Sequence, residues 1–348
     1  MSPKGKVLFR VDATPEIGTG HFYRCLSLAA MICSEFDVCF GMATEDVKIK
    51  TILETRGFHL IKLADFNYKP PDDRDDSEEI PFDLEDHLHM VDLVVLDGYW
   101  FGRHYQEALR AFEAKIVVIE DHGGGHFFAD LIVNVAAGLK PEDYTSDNQQ
   151  VVKALGPSFA LLREGFLQKA QEKNHSTNKL IERVFVCFGG SDFYNKTLEV
   201  SKWILINSKM NVHAVLGDGY SYMNLMNGLA EDFQGRVNIS KGLNEIDMIQ
   251  VIDQSTLGVV PSSGVLFECI ACRLPVISGL YTNNQEQIYR GLVDEFVFLP
   301  AEDFSNEHLS KAWGMFTPDT EKLMIKNQER LIDGKSAERF RTLFKSLC

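Results

Sequence analysis

The stretch Phe9-Arg-Val-Asp-Ala-Thr-Pro-Glu-Ile-Gly-Thr-Gly-His-Phe-Tyr-Arg-Cys-Leu-Ser-Leu-Ala29 decides the fold. Lys6 to Val11 reads as a short apolar strand and Cys25 to Ile32 as the body of a helix. Gly18 and Gly20 let the backbone turn tightly between them, with no Cβ to block a ligand. His21 follows at once, near the helix N-terminus, where free N–H groups and the positive dipole end suit a phosphate or a developing anion. An imidazole, with an ordinary pKa of about 6.5, can act there as acid or base. A complete G-x-G-x-x-G is absent, so the turn by itself also fits a plain strand-to-helix connection.

Working outward, strands are expected at 37–41, 59–63, 91–97, 116–120 and 131–134, with helices near 47–55 and 105–114. Such βαβ alternation predicts a parallel sheet with helices on both faces and ligands beyond the carboxyl ends of its strands. The groups at those ends are Asp12 to His21, Asp97-Gly-Tyr-Trp100, Asp121-His-Gly-Gly-Gly-His126 and Asn134, expected to face one crevice. The chain turns polar between 139 and 151 and again between 169 and 178, which places a domain junction near residue 160. Two domains are expected, 1–160 and 161–348, on a prior of about 150 residues per domain.

The pattern then restarts. Arg183 to Asp192 is a strand running into a second glycine turn, Gly189-Gly-Ser191, with a helix from Asn195. Strands at 210–216, 237–240, 257–260 and 275–277 follow. Ser262, Ser263 and Gly264 open a helix whose free N–H groups can hold a diphosphate. Glu268 lies one turn further in, where a carboxylate can accept from two ribose hydroxyls. Terminal helices interrupted at Gly334 are expected to pack back across the junction.

Composition narrows the function. With 348 residues and a formal charge of −15, nucleic acid is not expected as a partner. Much of the charge is local: nine acids between Asp72 and Asp86 face only Arg74, beside Pro70, Pro71 and Pro81, and read as a solvated loop insertion. Seven scattered cysteines argue for reduced thiols, and Cys269-Ile-Ala-Cys272 for two buried ones rather than a redox or zinc pair. The start shows no secretory h-region, and no apolar run approaches the about 18 residues of a membrane span, so a cytoplasmic location without membrane insertion is expected. A metal site from His87, His89, Asp121, His122 and His126 is disfavoured, because three glycines separate the last two histidines. No metal or cofactor is expected.

Taken together, these motifs resemble the UDP-sugar hydrolases of pseudaminic acid biosynthesis and the related spore-coat polysaccharide biosynthesis proteins. The likeness is carried by Arg10, Asp12, Gly18, Gly20, His21, Arg24, Cys25 and Leu28; by Asp97-Gly-Tyr99; by Asn134-Val135; and by Ala160 to Phe166. It continues in Gly189 to Thr197, Ser262 to Glu268 and Asn284-Gln285. The sequence departs from the pattern in the acidic insertion, in Phe193-Tyr194 and in the glycines flanked by His122 and His126. The resemblance implies a GT-B-like α/β fold, two Rossmann-like domains facing a central cleft. It implies removal of UDP from a 2,4-diacetamido-2,4,6-trideoxyhexose by inverting attack of water at the anomeric carbon. His21 would be the base or water positioner, and Tyr99 and Asn284 would line the sugar site. Gly189, Gly190, Ser191, Ser262, Ser263, Gly264 and Glu268 would hold the nucleotide, beside the Gly18 and Gly20 turn of the first domain.

Asp12 is expected to satisfy its turn backbone, with pairing to His21 as the alternative. Arg10 is expected to pair with an acid, at the site or structurally. A diphosphate is a good leaving group, so a base and charge stabilisation suffice without a general acid. The rival readings are a glycosyltransferase of the same architecture, using His21 on an acceptor hydroxyl, and a catalytically silent nucleotide-sugar-binding protein. No basic amphipathic patch for a lipid-linked acceptor is evident, which favours water or a small acceptor. The expected partner is a UDP-sugar, and the expected state a monomer or weak homo-oligomer.

Overall fold

The computed structural model describes residues 4–14, 17, 19–43, 46–63, 80, 82–172 and 182–348. Gly18 and most of the acidic insertion lie outside them. The chain divides into two units, Met1–Leu161 with Ser336–Cys348, and Leu162–Lys335.

In the first unit, β1 (Gly5–Val11), β2 (Phe36–Met42), β3 (His59–Lys62), β4 (Leu93–Asp97) and β5 (Lys115–Ile119) belong to a seven-stranded sheet. With β7 (Leu131–Asn134) and β9 (Val152–Leu155), its order is β3-β2-β1-β4-β5-β7-β9. Its strand pairs are parallel. The apolar run of β1 is buried on both faces (Val7, Leu8, Phe9, Val11), as a strand with helices above and below requires. The helices are α1 (Gly20–Ile32), α2 (Val47–Thr55), α3 (Phe82–Leu88) and α4 (Arg103–Leu109). Leu84, Leu88, Tyr105 and Leu109 cover Leu8, Val94, Leu96, Ile116 and Val118 in one core. A small parallel pair, β6 (Gly125–Phe127) with β8 (Tyr144–Ser146), sits beside it.

The second unit repeats the plan. Its strands are β10 (Arg183–Val186), β11 (Asn211–Leu216), β12 (Val237–Lys241), β13 (Leu257–Pro261), β14 (Val276–Gly279) and β15 (Leu299–Pro300), in the order β12-β11-β10-β13-β14-β15. Counted within the unit this is 3-2-1-4-5-6, the order of a doubly wound nucleotide-binding sheet, and the first six strands of the other unit's sheet follow it too. The helices are α5 (Glu164–Gln171), α6 (Lys196–Asn207), α7 (Met223–Asp232), α8 (Glu245–Asp253), α9 (Gly264–Ala271), α10 (Glu286–Val293), α11 (Asn306–Met315) and α12 (Pro318–Leu331). Arg273 ties several of them together. It ends α9 with a φ of 57° and donates from its buried guanidinium to the carbonyls of Ala170, Ile270, Gln328 and Ile332.

The last helix, α13 (Ser336–Leu347), leaves the second unit after Gly334 and packs on α1 of the first. Arg341 donates to the Met31 carbonyl at 3.1 Å, Lys345 pairs with Glu35 at 2.9 Å, and Phe344 meets Phe36 edge-on. The second unit therefore stops at Lys335 and does not run to 348. Three local readings also change. Asp83, Glu85 and Asp86 lie on α3 rather than in a loop, and the helix expected at 105–114 runs only from Arg103 to Leu109. In addition, β9 follows the polar stretch 139–151 as an edge strand. Among the described residues no helix is long and apolar enough to cross a membrane.

Candidate active site

Both sheets have their topological switch point, where neighbouring strands lead in opposite directions, beside the first strand of the unit. In the first unit it lies between β1 and β4, and polar groups gather at their carboxyl ends. His21 stands in the first turn of α1, whose N-cap Thr19 makes no side-chain bond and whose first turn carries no acid. Its Nδ1 lies 2.7 Å from Oδ1 of Asp97, the last residue of β4. The Arg24 guanidinium, one turn along α1, forks onto both oxygens of Asp97. Arg24 also reaches Asp121 at 3.1 Å, and the Tyr99 hydroxyl donates to that same Asp121 oxygen at 2.9 Å. The Tyr99 ring meets His21 edge-on at 4.9 Å and lies 5.0 Å from His122.

The electrostatics follow from this packing. Burial alone would raise the Asp97 carboxyl, but Arg24 and His21 hold it below the ordinary carboxylate range. Burial opposes the Arg24 charge, yet Asp97 and Asp121 hold the guanidinium well above its usual value. Asp97 calls for an Nδ1–H, the tautomer that leaves the lone pair on Nε2, while an Arg24 N–H also approaches Nδ1 at 3.0 Å. Cys25, 3.5 Å from Asp97, has its thiol pushed well up by burial and then by that carboxylate, so it is no nucleophile.

The switch point of the second unit lies between β10 and β13, and its residues are small. After β10, Gly189 takes a φ of 87° with open space over its α-carbon, and the Gly190 carbonyl accepts from Gly219 at 3.0 Å. A Cβ on Gly217 would collide with the Gly190 backbone, so the two turns meet main chain to main chain. The N-terminus of α6 is filled from within: the buried Asp192 carboxylate accepts from the N–H groups of Lys196 and Thr197, each at 2.8 Å. That of α9 is not. Ser263 makes no side-chain cap, no acid stands in the first turn, and space is open over Gly264. Ser262 is buried with its hydroxyl 3.0 Å from that of Ser278. Glu268 accepts from Arg163 at 2.6 Å; burial raises its carboxyl more than Arg163 lowers it.

Among the expected site residues, His21 and Tyr99 are brought together, as are Ser262, Ser263, Gly264 and Glu268 on the β13–α9 connection. Gly20 opens α1, again with free space over it. Gly189, Gly190 and Ser191 follow the neighbouring strand β10. Asn284 is exposed on a 3₁₀ turn after β14, accepting from the Thr282 hydroxyl at 2.6 Å, while its neighbour Gln285 is buried and caps that turn. Asp12 is corrected. Its carboxylate takes the buried Arg10 guanidinium at 2.6 Å and the Ala43 N–H at 2.7 Å, so it braces β1 against the end of β2 and neither holds its own turn nor touches His21. The acid facing His21 is Asp97. The His126 ring is engaged by Thr145 and Asp147, each at 3.0 Å, away from His122. Among the described residues no group of three or more His, Cys, Asp or Glu is arranged to hold a metal.

Comparison with solved structures places this geometry in a class. The chain superimposes on MurG of Acinetobacter baumannii with a TM-score of 0.66 at 12% identity, over 99% of this chain and 100% of that one. It matches S. aureus MnaA, solved with UDP, with a TM-score of 0.63 at 11% identity over 99% and 98% of the two chains. Anabaena HepE, solved with UDP-glucose, gives 0.59 at 13% identity over 98% and 99%. The fold is GT-B-like, two Rossmann-like α/β units. No protein-family model matches the chain. In sequence it is 26% identical over 316 residues to an uncharacterized protein of Methanocaldococcus jannaschii, covering 88% of this chain and 60% of that protein, and so spans less than two thirds of that relative. It is 22% identical over 286 residues to the UDP-2,4-diacetamido-2,4,6-trideoxy-beta-L-altropyranose hydrolase of Campylobacter jejuni, covering 81% of this chain and 93% of that enzyme.

Proposed function

We propose that this protein is a nucleotide-sugar hydrolase. It releases UDP from a UDP-2,4-diacetamido-2,4,6-trideoxyhexose by inverting attack of water at the anomeric carbon, in the cytoplasm, within nonulosonic acid or surface-glycan biosynthesis. The observation that carries this reading is the His21–Asp97 contact at the switch point of the first unit. It leaves Nε2 as the base that attack on an anomeric carbon needs. In the reaction Nε2 takes a proton from water as the oxygen bonds to the anomeric carbon. The bond from that carbon to the diphosphate oxygen breaks with its electron pair, which leaves on UDP. Asp97 then faces the imidazolium.

The uncapped N-terminus of α9 supports a diphosphate site, since its N–H groups and dipole stabilise the charge that grows on the leaving group. Glu268 would take the ribose hydroxyls, Gly189 to Ser191 the rest of the nucleotide, and Tyr99 and Asn284 the sugar. Because the Tyr99 proton is committed to Asp121, its oxygen acts toward a sugar as an acceptor, suited to an acetamido N–H or a hydroxyl. The likeness to the C. jejuni hydrolase, weak in identity but long in coverage, points the same way.

A glycosyltransferase would use the same base on an acceptor hydroxyl. The test is UDP release from a panel of UDP-hexoses, including the 2,4-diacetamido-trideoxy sugars, with and without EDTA and without acceptor. Rapid release with free sugar as co-product, in EDTA as well, is expected. Release only after an acceptor is added would assign a transferase, and tight UDP-sugar binding with no release under any condition a silent binder.

A further inference from the structure

A third carboxylate lies beside the site and takes no part in the chemistry above. Glu120 follows β5 and is 9% exposed. One of its oxygens accepts from the N–H groups of His122 at 2.7 Å and Gly123 at 3.2 Å; the other accepts from the Asn134 side-chain amide at 2.7 Å. The same Asn134 amide also donates to the buried Tyr144 hydroxyl at 3.1 Å. Among the described residues no cation pairs with Glu120. A buried carboxylate without a counter-charge is expensive unless donors surround it. Three N–H donors on two oxygens suit a group that only accepts, which a carboxylate is and a carboxamide is not. Glu120 therefore fixes the turn 121–123 to the ends of β5 and β7.

That turn carries two residues of the site. Asp121 takes the Tyr99 hydroxyl and Arg24, and the exposed His122 lays its ring against that of Tyr99. Resting on the hydrolase reading, we propose that His122 is a further sugar-contacting residue, that it and Tyr99 read the substituents of the pyranose, and that Glu120 is the positioning residue that sets both. The three glycines after His122 leave no side chain that could hold the turn in its place.

The test is a double-mutant cycle of Glu120→Gln and His122→Ala, read as kcat, KM and UDP affinity with the UDP-2,4-diacetamido-trideoxyhexose. Each single variant should raise KM by about tenfold, the scale of one lost hydrogen-bonded contact, with UDP affinity kept. The pH dependence of kcat should stay in place. In the His122→Ala background Glu120→Gln should cost much less than alone. Full additivity, an unchanged KM in folded Glu120→Gln, or a parallel loss of UDP affinity would overturn the assignment. Should Glu120→Gln not fold, an unchanged KM in His122→Ala, whose side chain is exposed, overturns it equally. Wild-type protein that neither binds nor cleaves the sugar nucleotide would instead overturn the hydrolase reading, and this inference with it.

Discussion

At the switch point of the first unit, between β1 and β4, stand an imidazole, a guanidinium and two carboxylates; at that of the second, between β10 and β13, stand glycines and serines. The strand order around both is the same, and so is the strand–glycine turn–helix connection that follows. What differs is what the helix N-terminus is asked to do. In α1 the first turn carries His21, and the acid that faces it comes from the neighbouring strand. In α9, as in α1, the first turn carries no acid and no side-chain cap, but no titratable side chain stands at its start. A third example sharpens the contrast: α6 opens after a glycine turn as well, but Asp192 already occupies its N-terminus. A glycine turn therefore marks a possible anion site, and the position of the nearest acid decides whether the site stays open. On the proposed reading, one unit is equipped for proton transfer and the other for binding.

This division can be broken by substitution. The largest effect is expected for His21→Ala, which should lower turnover by about a hundredfold or more, the scale of a lost general base, while UDP affinity is kept. Parallel loss of both would end the separation. Ser263→Asp would give α9 the acid that α6 already has. It should weaken UDP binding by about 30-fold, through about 2 kcal/mol of charge repulsion at the helix end. The same change should stabilise the fold by about 1 kcal/mol through a new cap. Calorimetric UDP titration with thermal melts checks the pair, and unchanged affinity would move the diphosphate away from α9. Glu268→Ala is expected to have the smallest effect, about tenfold on UDP affinity, with Arg163 left without its carboxylate. No change there would remove the ribose role.

How much of this was legible in the sequence depends on how far apart the partners lie along the chain. His21 and the Ser262-Ser-Gly264 turn are local patterns, a small-residue turn between a strand and a helix, and both were readable. The parallel sheets followed from the alternation of apolar runs. Asp97 was visible as an acid ending a buried strand, but its pairing with His21 depends on which strands become neighbours, and only Asp12, closer in sequence, was weighed as a partner, as the alternative to a turn role. In the fold Arg10 claims Asp12, because a buried guanidinium must be neutralised within the sheet. Glu120 stands just after a strand, where its bonds to the 121–123 turn are local, and only the return of β7 beside β5 brings Asn134 to it. The short β6 and β8 carry too few residues for a period, and Arg273 gives no pattern at all.

The most direct measurement is the fate of oxygen when the UDP-2,4-diacetamido-trideoxyhexose is turned over in ¹⁸O-labelled water without any acceptor. Attack by His21-activated water on the anomeric carbon predicts label in the released sugar and none in UDP. Label in UDP would place the cleavage at phosphorus, and absence of any product without an acceptor would show that water is not the nucleophile this site activates.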